Sequence, residues 1–321
     1  MKLFSFLFFS GLRASLVPKN DTTEVCYEGL GCFDNEFPWD CLYAQRLPGD
    51  PATMMFSYRL YTEVDNYDEL DYFNPSPNVD WTAKSKILLA THGWHDSGTT
   101  GWLRDTVMKA TQLDDYHVVI LDWEGEASSI NYVESAQNAR VVAAAGAVLL
   151  SDAFNNGILA ENIHITGHSL GDNHWWRQNR PIHSLDAAGP LFDECSAEAR
   201  VDESDADYVD FIHTDSGRLP ALSMEEAVAY ADFYVNDGRH QPGCPTPSLD
   251  TNCEHQRAVQ IWVSSFDISC YACPCETFQN LENGLCSNNC RFNAIGFYSQ
   301  KPAQKTTYFI ETTDRKPFCV Q

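Results

Sequence analysis

The chain has 321 residues, of which 44% are hydrophobic, and it carries 45 acidic residues against 21 lysines and arginines, a formal net charge of −24. The hydrophobic fraction is that of a globular protein and excludes wholesale disorder. The negative charge excludes nucleic acid and strongly anionic membranes as electrostatic partners, because both attract an excess of lysine and arginine.

The N-terminus has the pattern of a secretory signal peptide. Lys2 precedes an apolar run over residues 3–12, which is too short to span a bilayer. We expect residues 1–17 to be the signal and residues 18–321 to form a single domain; the alternative is a buried N-terminal helix. No later segment is long and apolar enough for a transmembrane helix. The sequence therefore predicts a secreted, extracellular protein.

The cysteine content agrees with export. Twelve cysteines occur in an even, clustered set, which favours disulfides in an oxidising compartment. Cys270, Cys273 and Cys275 also fit a zinc knuckle, an interpretation that such a compartment disfavours. Asn20 begins the only N-glycosylation sequon, so the protein is expected to be a glycoprotein.

Strand and helix patterns alternate along most of the chain. Buried or alternating apolar runs predict strands at 54–61, 86–91, 117–123, 162–166, 181–185, 207–214 and 306–311. Helical patterns occupy 100–112 and 134–154, the second with a stop at Asn155-Asn156-Gly157. This alternation predicts an α/β fold with a mostly parallel central sheet flanked by helices. Beyond Cys244 the sequence is cysteine-rich and predicts loops before the last strand.

A G-x-S-x-G motif follows one of the buried strands. Gly167-His168-Ser169-Leu170-Gly171 comes directly after 162–166. The two glycines let a strand turn sharply, so that the serine hydroxyl is exposed at the edge of the sheet as a nucleophile. The bare pattern also occurs by chance in an ordinary strand-to-helix turn, but the preceding strand favours the nucleophile.

Such a nucleophile requires an acid and then a histidine further along the chain. Asp186 is the best candidate for the acid because it ends the next predicted strand. His255 is the best candidate for the base, because a disulfide at the nearby Cys253 would hold its imidazole in place. The competitors by order alone are Asp193 and Asp210 for the acid, and His213 and His240 for the base.

Acyl transfer also needs backbone donors for an oxyanion. One donor is the N–H of Leu170, the residue after the candidate nucleophile. A second is expected from Thr91-His92-Gly93-Trp94, which follows an early strand and in which Gly93 permits a tight path. The N–H of Trp94 is the candidate; the alternative is a plain turn at the end of the strand.

Taken in order, these motifs resemble the secreted lipases of the pancreatic-lipase type, which have the α/β-hydrolase fold. The matching segments cover nearly the whole chain after the signal: 25–33, Pro38-Trp39, 91–94, 121–123, 136–140, 167–171, 185–190, 205–214, 242–244 and 253–255. The resemblance implies a carboxylic ester hydrolase of lipid catabolism, with glycerolipid substrate at an interface and no cofactor for catalysis. It also implies a Ser169–Asp186–His255 triad and oxyanion donors at Trp94 and Leu170.

The same resemblance implies further features that the spacing alone does not. It predicts a structural Ca²⁺ held by the carbonyls of Ala197 and Arg200 and the carboxylates of Asp202 and Asp205, although by spacing alone the two aspartates are ordinary acidic loop residues. It also predicts three disulfides: Cys26–Cys32, Cys244–Cys253 and Cys275–Cys286.

Three departures from that family bear on function. The loop between Cys244 and Cys253 contains only residues 245–252, a short lid that resembles phospholipase A1 and galactolipase members. Residues 172–180 replace the usual small residues after the motif with two tryptophans and several charges, so this helix is expected to be short or distorted, unless the segment comes from a mistaken exon boundary. The chain to Gln321 contains no C-terminal β-sandwich, so no colipase-binding domain is expected.

The sequence therefore predicts a secreted serine hydrolase that acts as a triacylglycerol lipase or phospholipase A1. Two alternatives remain open. One is a catalytically inactive lipid-binding protein on the same fold, which the unusual run after Gly171 would favour. The other is a disulfide-rich interaction module with an accidental G-x-S-x-G. Labelling of Ser169 by a probe for active serines would separate the enzyme from both.

Overall fold

The computed structural model describes residues 23–42, 46–72, 79–173, 181–217, 221–245, 251–277, 279–280, 283–286 and 292–319. Several predicted features lie outside these residues: the signal peptide, the Asn20 sequon, Cys290, most of the unusual run after the G-x-S-x-G motif (174–180) and most of the short lid (246–250).

The described part of the chain contains the following strands and helices. The strands are β1 (Glu24–Tyr27), β2 (Gly31–Asp34), β3 (Ser57–Glu63), β4 (Asn66–Leu70), β5 (Lys86–Thr91), β6 (Tyr116–Asp122), β7 (Ile163–His168), β8 (Ile182–Leu185), β9 (Val209–His213), β10 (Ala231–Val235), β11 (Tyr271–Pro274), β12 (Asn293–Ala294) and β13 (Thr306–Ile310). The α-helices are α1 (Gly101–Ala110), α2 (Glu124–Ala127), α3 (Tyr132–Asn155) and α4 (Thr251–Ser265).

An eleven-stranded sheet forms the centre of the described structure, in the order β12-β11-β13-β10-β9-β8-β7-β5-β6-β3-β4. Seven neighbouring strands, from β6 through β5, β7, β8, β9 and β10 to β13, are parallel. The outer strands β3, β4, β11 and β12 are antiparallel. The predicted α/β-hydrolase class, with its mostly parallel sheet, is confirmed.

The sheet separates two hydrophobic cores. The alanine-rich side of α3 packs on one face, whereas α1 and α4 pack on the other. The central strands are continuous apolar runs because both of their faces are covered; all seven residues of β6 are buried. This arrangement leaves the carboxyl ends of the parallel strands, and the turns that follow them, to carry polar side chains.

Most predicted elements are present with small shifts of their ends, but the expectation of loops beyond Cys244 was wrong. The fifteen-residue helix α4 lies there, and β10 to β12 were also not predicted. The predicted stop of the long helix at Asn155-Asn156-Gly157 is confirmed, with Gly157 in the left-handed conformation (φ 106°). No helix in the described residues combines the length and apolarity that crossing a membrane requires.

The three predicted disulfides, Cys26–Cys32, Cys244–Cys253 and Cys275–Cys286, are all present. Between cysteines that are both in the described ranges, two further disulfides, Cys41–Cys195 and Cys270–Cys319, join residues whose partners the sequence did not indicate. Cys41–Cys195 ties the N-terminal segment to the loop beyond β8.

Candidate active site

Ser169 lies at the sharp turn that the G-x-S-x-G motif predicts. It follows β7 directly and has a left-handed backbone (φ 57°), which costs a non-glycine residue about 1–2 kcal/mol. A Cβ built on Gly171 would lie 2.4 Å from the carbonyl oxygen of His92. Glycine is therefore required there, because it lets the turn touch the loop that follows β5.

Asp186 lies one step beyond the end of the neighbouring strand β8, again with a left-handed backbone (φ 53°). One carboxylate oxygen, Oδ1, accepts the N–H groups of Thr214 (2.6 Å) and Asp215 (3.1 Å). The other, Oδ2, lies 2.7 Å from Nδ1 of His255, and both side chains are buried. These contacts fix which oxygen faces the imidazole.

The competing acids and bases have other positions. Asp210 pairs with His183, near the amino ends of their strands. His213 pairs with Asp232 inside the sheet, as expected for a satisfied core histidine. His240 is an exposed side chain 4.0 Å from Glu254. Among the described residues, only Asp186 makes a hydrogen bond to the ring of His255.

His255 is positioned by α4, two residues after the disulfide-bonded Cys253. Its ring packs on that of His168, with centroids 4.4 Å apart. Burial, and then the neighbouring His255, lower the pKa of His168 well below its ordinary value, so His168 stays neutral. His255 and Ser169 line the same cavity, although no hydrogen bond joins them in the described structure.

The loop after β5 lies directly against the nucleophile. A Cβ built on Gly93 would be 2.8 Å from Cβ and 3.4 Å from Oγ of Ser169. The next residue is Trp94, whose backbone N–H donates to no backbone carbonyl in the described structure, and Leu170 directly follows the serine. Both candidate oxyanion donors thus flank the serine.

The buried carboxylate of Asp122 holds the loop that follows β5. Asp122 Oδ1 accepts the Gly98 N–H at 2.9 Å and lies 3.1 Å from Nε2 of His92, while Oδ2 pairs with Arg59 at 2.8 Å. The indole N–H of Trp94 donates to the carbonyl of Ser129 at 2.8 Å. The loop is thereby held on both sides of the Trp94 backbone.

The cavity in front of Ser169 has a volume of about 680 Å³. Its apolar wall is formed by the side chains of Trp94, Tyr132, Ala188, Pro190 and Leu222. Beside it, on the loop between Ser129 and Tyr132, the side chain of Ile130 is 94% exposed. The cavity thus combines an apolar wall with polar groups that include Ser169 and His255, which suits an ester with a hydrocarbon chain.

A second buried carboxylate, which the sequence analysis missed, lies beside the Asp186–His255 pair. Asp215 comes within 4.8 Å of both residues and accepts the Leu222 N–H at 3.1 Å. Burial, and then the charge of Asp186, raise the pKa of Asp215 to about 8. Its position follows from the pairing of β8 with β9, which a single sequence does not reveal.

This pKa predicts a pH-dependent stability effect for Asp215→Asn. A folded-state pKa near 8, against an ordinary 3.8, means that Asp215 makes the protein less stable as the pH rises from about 4 to 8. Asn removes the charge and keeps an acceptor for Leu222. We expect the variant to gain several kcal/mol in unfolding free energy at pH 9, at most about 6 kcal/mol, and nothing at pH 4, since each pKa unit is worth about 1.4 kcal/mol. Equal thermal melting shifts at both pH values would contradict this.

The four candidate calcium ligands lie in one loop beyond the Asp186 turn. Asp205, which is buried, accepts the Asp202 N–H on Oδ2 at 2.9 Å, and Asp202 Oδ1 accepts the Ser204 N–H at 2.9 Å. Ala197 begins the short 3₁₀ turn Ala197–Ala199, and Arg200 follows it directly. The four groups offer only oxygen donors, which suits Ca²⁺.

Comparison with known proteins finds similarity to lipases. The family model described as Lipase matches residues 23–318. Pancreatic lipase-related protein 2 of Cavia porcellus is 33% identical over 82% of this chain and 64% of that protein. Pancreatic triacylglycerol lipase of Oryctolagus cuniculus is 30% identical over 92% of this chain and 72% of that protein. Lipase member H of Xenopus tropicalis is 29% identical over 80% of this chain and 59% of that protein.

The chain thus spans about 60–70% of the length of these relatives. Among solved structures, a phospholipase/carboxylesterase from Dyadobacter fermentans is similar over 42% of this chain and 68% of that chain, with 16% identity and a TM-score of 0.30, which is too low to support an argument.

Proposed function

This chain belongs to the lipase family, and from that premise we propose that it is a secreted enzyme that hydrolyses carboxylic esters of glycerolipids. The observation that carries the proposal is the convergence of Ser169, His255 and Trp94 on one cavity, with Asp186 hydrogen-bonded to the ring of His255. In this proposal residues 1–17 are the signal peptide and residues 18–321 form one catalytic domain.

In the proposed mechanism Ser169 Oγ attacks the ester carbonyl. His255 Nε2 takes the serine proton and gives it to the leaving alcohol, while Asp186 holds Nδ1–H and stabilises the charged imidazolium. The negative charge that develops on the carbonyl oxygen is stabilised by the N–H groups of Trp94 and Leu170. Water then attacks the acyl-enzyme, with His255 again as base, and releases the fatty acid.

The substrate proposal follows from the entrance to the cavity. The Cys244–Cys253 loop, which encloses only residues 245–252, is too short to form a helical flap over the site. A lid this short would leave the entrance open to a bulky polar head group, and the exposed Ile130 would offer an apolar contact to a lipid surface. We therefore propose phospholipid cleavage of the A1 type alongside triacylglycerol hydrolysis.

The function is tested by measuring fatty-acid release from phosphatidylcholine and from a triacylglycerol emulsion, with the purified protein and Ca²⁺. Release by the wild type that Ser169→Ala abolishes is the expected result, with phosphatidylcholine the better substrate. A folded wild type that releases fatty acid from neither lipid would overturn the proposal and favour an inactive lipid-binding protein.

We also propose that the loop at 197–205 holds a structural Ca²⁺ through the carbonyls of Ala197 and Arg200 and the carboxylates of Asp202 and Asp205. The ion would neutralise the two carboxylates and steady the wall of the site, with no part in catalysis.

Calcium is therefore expected to raise the melting temperature. At a hundredfold excess over its Kd the ion would add about 2.7 kcal/mol to the unfolding free energy. The double variant Asp202→Asn/Asp205→Asn should lose this shift, whereas the exposed neighbour Asp207→Asn should keep it. A shift that persists in the double variant, or no effect of EDTA on the wild type, would contradict the site.

A further inference from the structure

Two side chains just beyond the G-x-S-x-G motif lie buried between the nucleophile turn and the strand that leads to Asp186. Asp172 is fully buried and Asn173 is 2% exposed. The family resemblance predicts Ala and then His at these two positions, so neither side chain is explained by that resemblance. Their partners show what they hold.

Each of the two side chains bonds to one flank of Asp186. Asp172 Oδ2 accepts the N–H of Leu185 at 2.8 Å, and it also accepts the hydroxyl of Ser184 at 3.1 Å. Leu185 directly precedes Asp186. On the other side, Asn173 Nδ2 donates to the carbonyl of Ala188 at 3.1 Å, two residues after Asp186. The backbone around the acid is therefore held from both directions by the segment that carries the serine.

This restraint acts where the backbone is strained. Ser169 and Asp186 both have left-handed backbones, and a left-handed non-glycine residue persists only where its surroundings determine it. The pairing of β7 with β8 ends at His168 and Leu185, one residue before each of them. Beyond that point the ladder between these two strands no longer fixes their separation, and the Asp186 N–H bonds only to the next strand, to the carbonyl of Ile212 at 3.0 Å. Side chains from the nucleophile turn therefore add the restraint between Ser169 and Asp186.

We propose that Asp172 and Asn173 are positioning residues that fix Asp186, and through it His255, relative to Ser169; this inference rests on the proposed function. The two polar contacts link the nucleophile turn directly to the backbone on both sides of Asp186. Asp172 ends the short 3₁₀ turn Ser169–Asp172, and Asn173 follows it directly. Both side chains therefore lie next to the backbone around Asp186.

The charge of Asp172 is not what the contacts require. Burial raises the pKa of Asp172 well above its ordinary value, against the hydrogen bonds from Leu185 and Ser184 that lower it. The hydrogen bonds from Leu185 and Ser184 need only an acceptor at Oδ2. Asn has the same shape and the same acceptor, so it should serve in place of Asp172, whereas Ala leaves both buried donors unpaired.

The kinetic test compares Asp172→Ala, Asp172→Asn and Asn173→Ala on a soluble short-chain ester. Since a displacement of about 1 Å costs about 100-fold in rate, we expect Asp172→Ala to lower kcat about 10- to 100-fold with KM little changed. Asp172→Asn should recover most of this loss, and Asn173→Ala should lie in between. The matched control is Asp232→Ala, which removes an equally buried acid that bonds to His213 instead.

A second readout does not depend on turnover. The proton in the short His255–Asp186 hydrogen bond should give a far-downfield NMR signal, and Asp172→Ala should shift or broaden it, whereas Asp172→Asn and Asp232→Ala should not. An unaltered signal in folded Asp172→Ala would overturn the inference, as would equal kcat losses in Asp172→Ala and Asp172→Asn. If instead the wild type shows this signal but no Ser169-dependent turnover, the proposed function fails and the NMR comparison still decides the positioning role.

Discussion

Asp186→Asn is expected to lower kcat for ester hydrolysis about 10⁴-fold, the cost of presenting the histidine in the wrong tautomer. The geometry gives the reason. The N–H groups of Thr214 and Asp215 both donate to Oδ1, so the amide oxygen of Asn will occupy that position. Its NH₂ group will then donate to Nδ1 of His255, and the ring proton will move to Nε2, where it blocks acceptance of the serine proton.

The matched control is Asp193→Asn, which removes the acid that competes with Asp186 by chain order. Asp193 makes no hydrogen bond to the His255 ring in the described structure. The kcat of the Asp193→Asn variant should therefore stay within about twofold of the wild type. Both variants are assayed on a soluble ester, with their folding checked by circular dichroism. A large loss in Asp193→Asn and a small one in Asp186→Asn would contradict the assignment.

Gly93→Ala is expected to lower kcat about 10²–10³-fold, the cost of losing one oxyanion donor. The new Cβ would lie 2.8 Å from Ser169 Cβ and 2.9 Å from the His168 carbonyl oxygen. Neither neighbour is the flexible end of a long side chain, so the loop or the nucleophile turn must move. Either movement carries the Trp94 N–H away from the oxygen that it should stabilise.

Gly101→Ala controls for the substitution itself. A Cβ at Gly101, the first residue of α1, meets no atom within 4 Å. The Gly101→Ala variant should therefore have the kcat of the wild type. The two variants are compared by kcat and by melting temperature. A folded Gly93→Ala with unchanged kcat would show that the Trp94 N–H does not serve as an oxyanion donor.

The sequence was most informative where local pattern decides structure. Buried apolar runs predicted β5, β6 and β7, because strands covered on both faces show a continuous signal. The glycines around Ser169 predicted the sharp turn, because only glycine allows the close contact with His92. The end of the next predicted strand then favoured Asp186, and the nearby Cys253 favoured His255; the structure brings Oδ2 of Asp186 to 2.7 Å from Nδ1 of His255.

What the sequence did not reveal depends on contacts between distant residues. Helix α4 was missed because the cysteines at its start suggested loops, although Ala258, Val259, Ile261 and Trp262 have the spacing of a buried helical face. Asp215 approaches Asp186 only through the pairing of β8 with β9. The residue Asp172 appeared to disrupt the site, whereas its carboxyl accepts hydrogen bonds from the strand that ends before Asp186.

The central claim is that Ser169 is an activated nucleophile in a complete triad. Incubation of the folded protein with a fluorophosphonate, followed by peptide mass spectrometry, tests it directly. The account predicts one equivalent of label on Ser169, lost in Ser169→Ala and slowed strongly in Asp186→Asn. Absence of label, or label on another serine in the native protein, would contradict it.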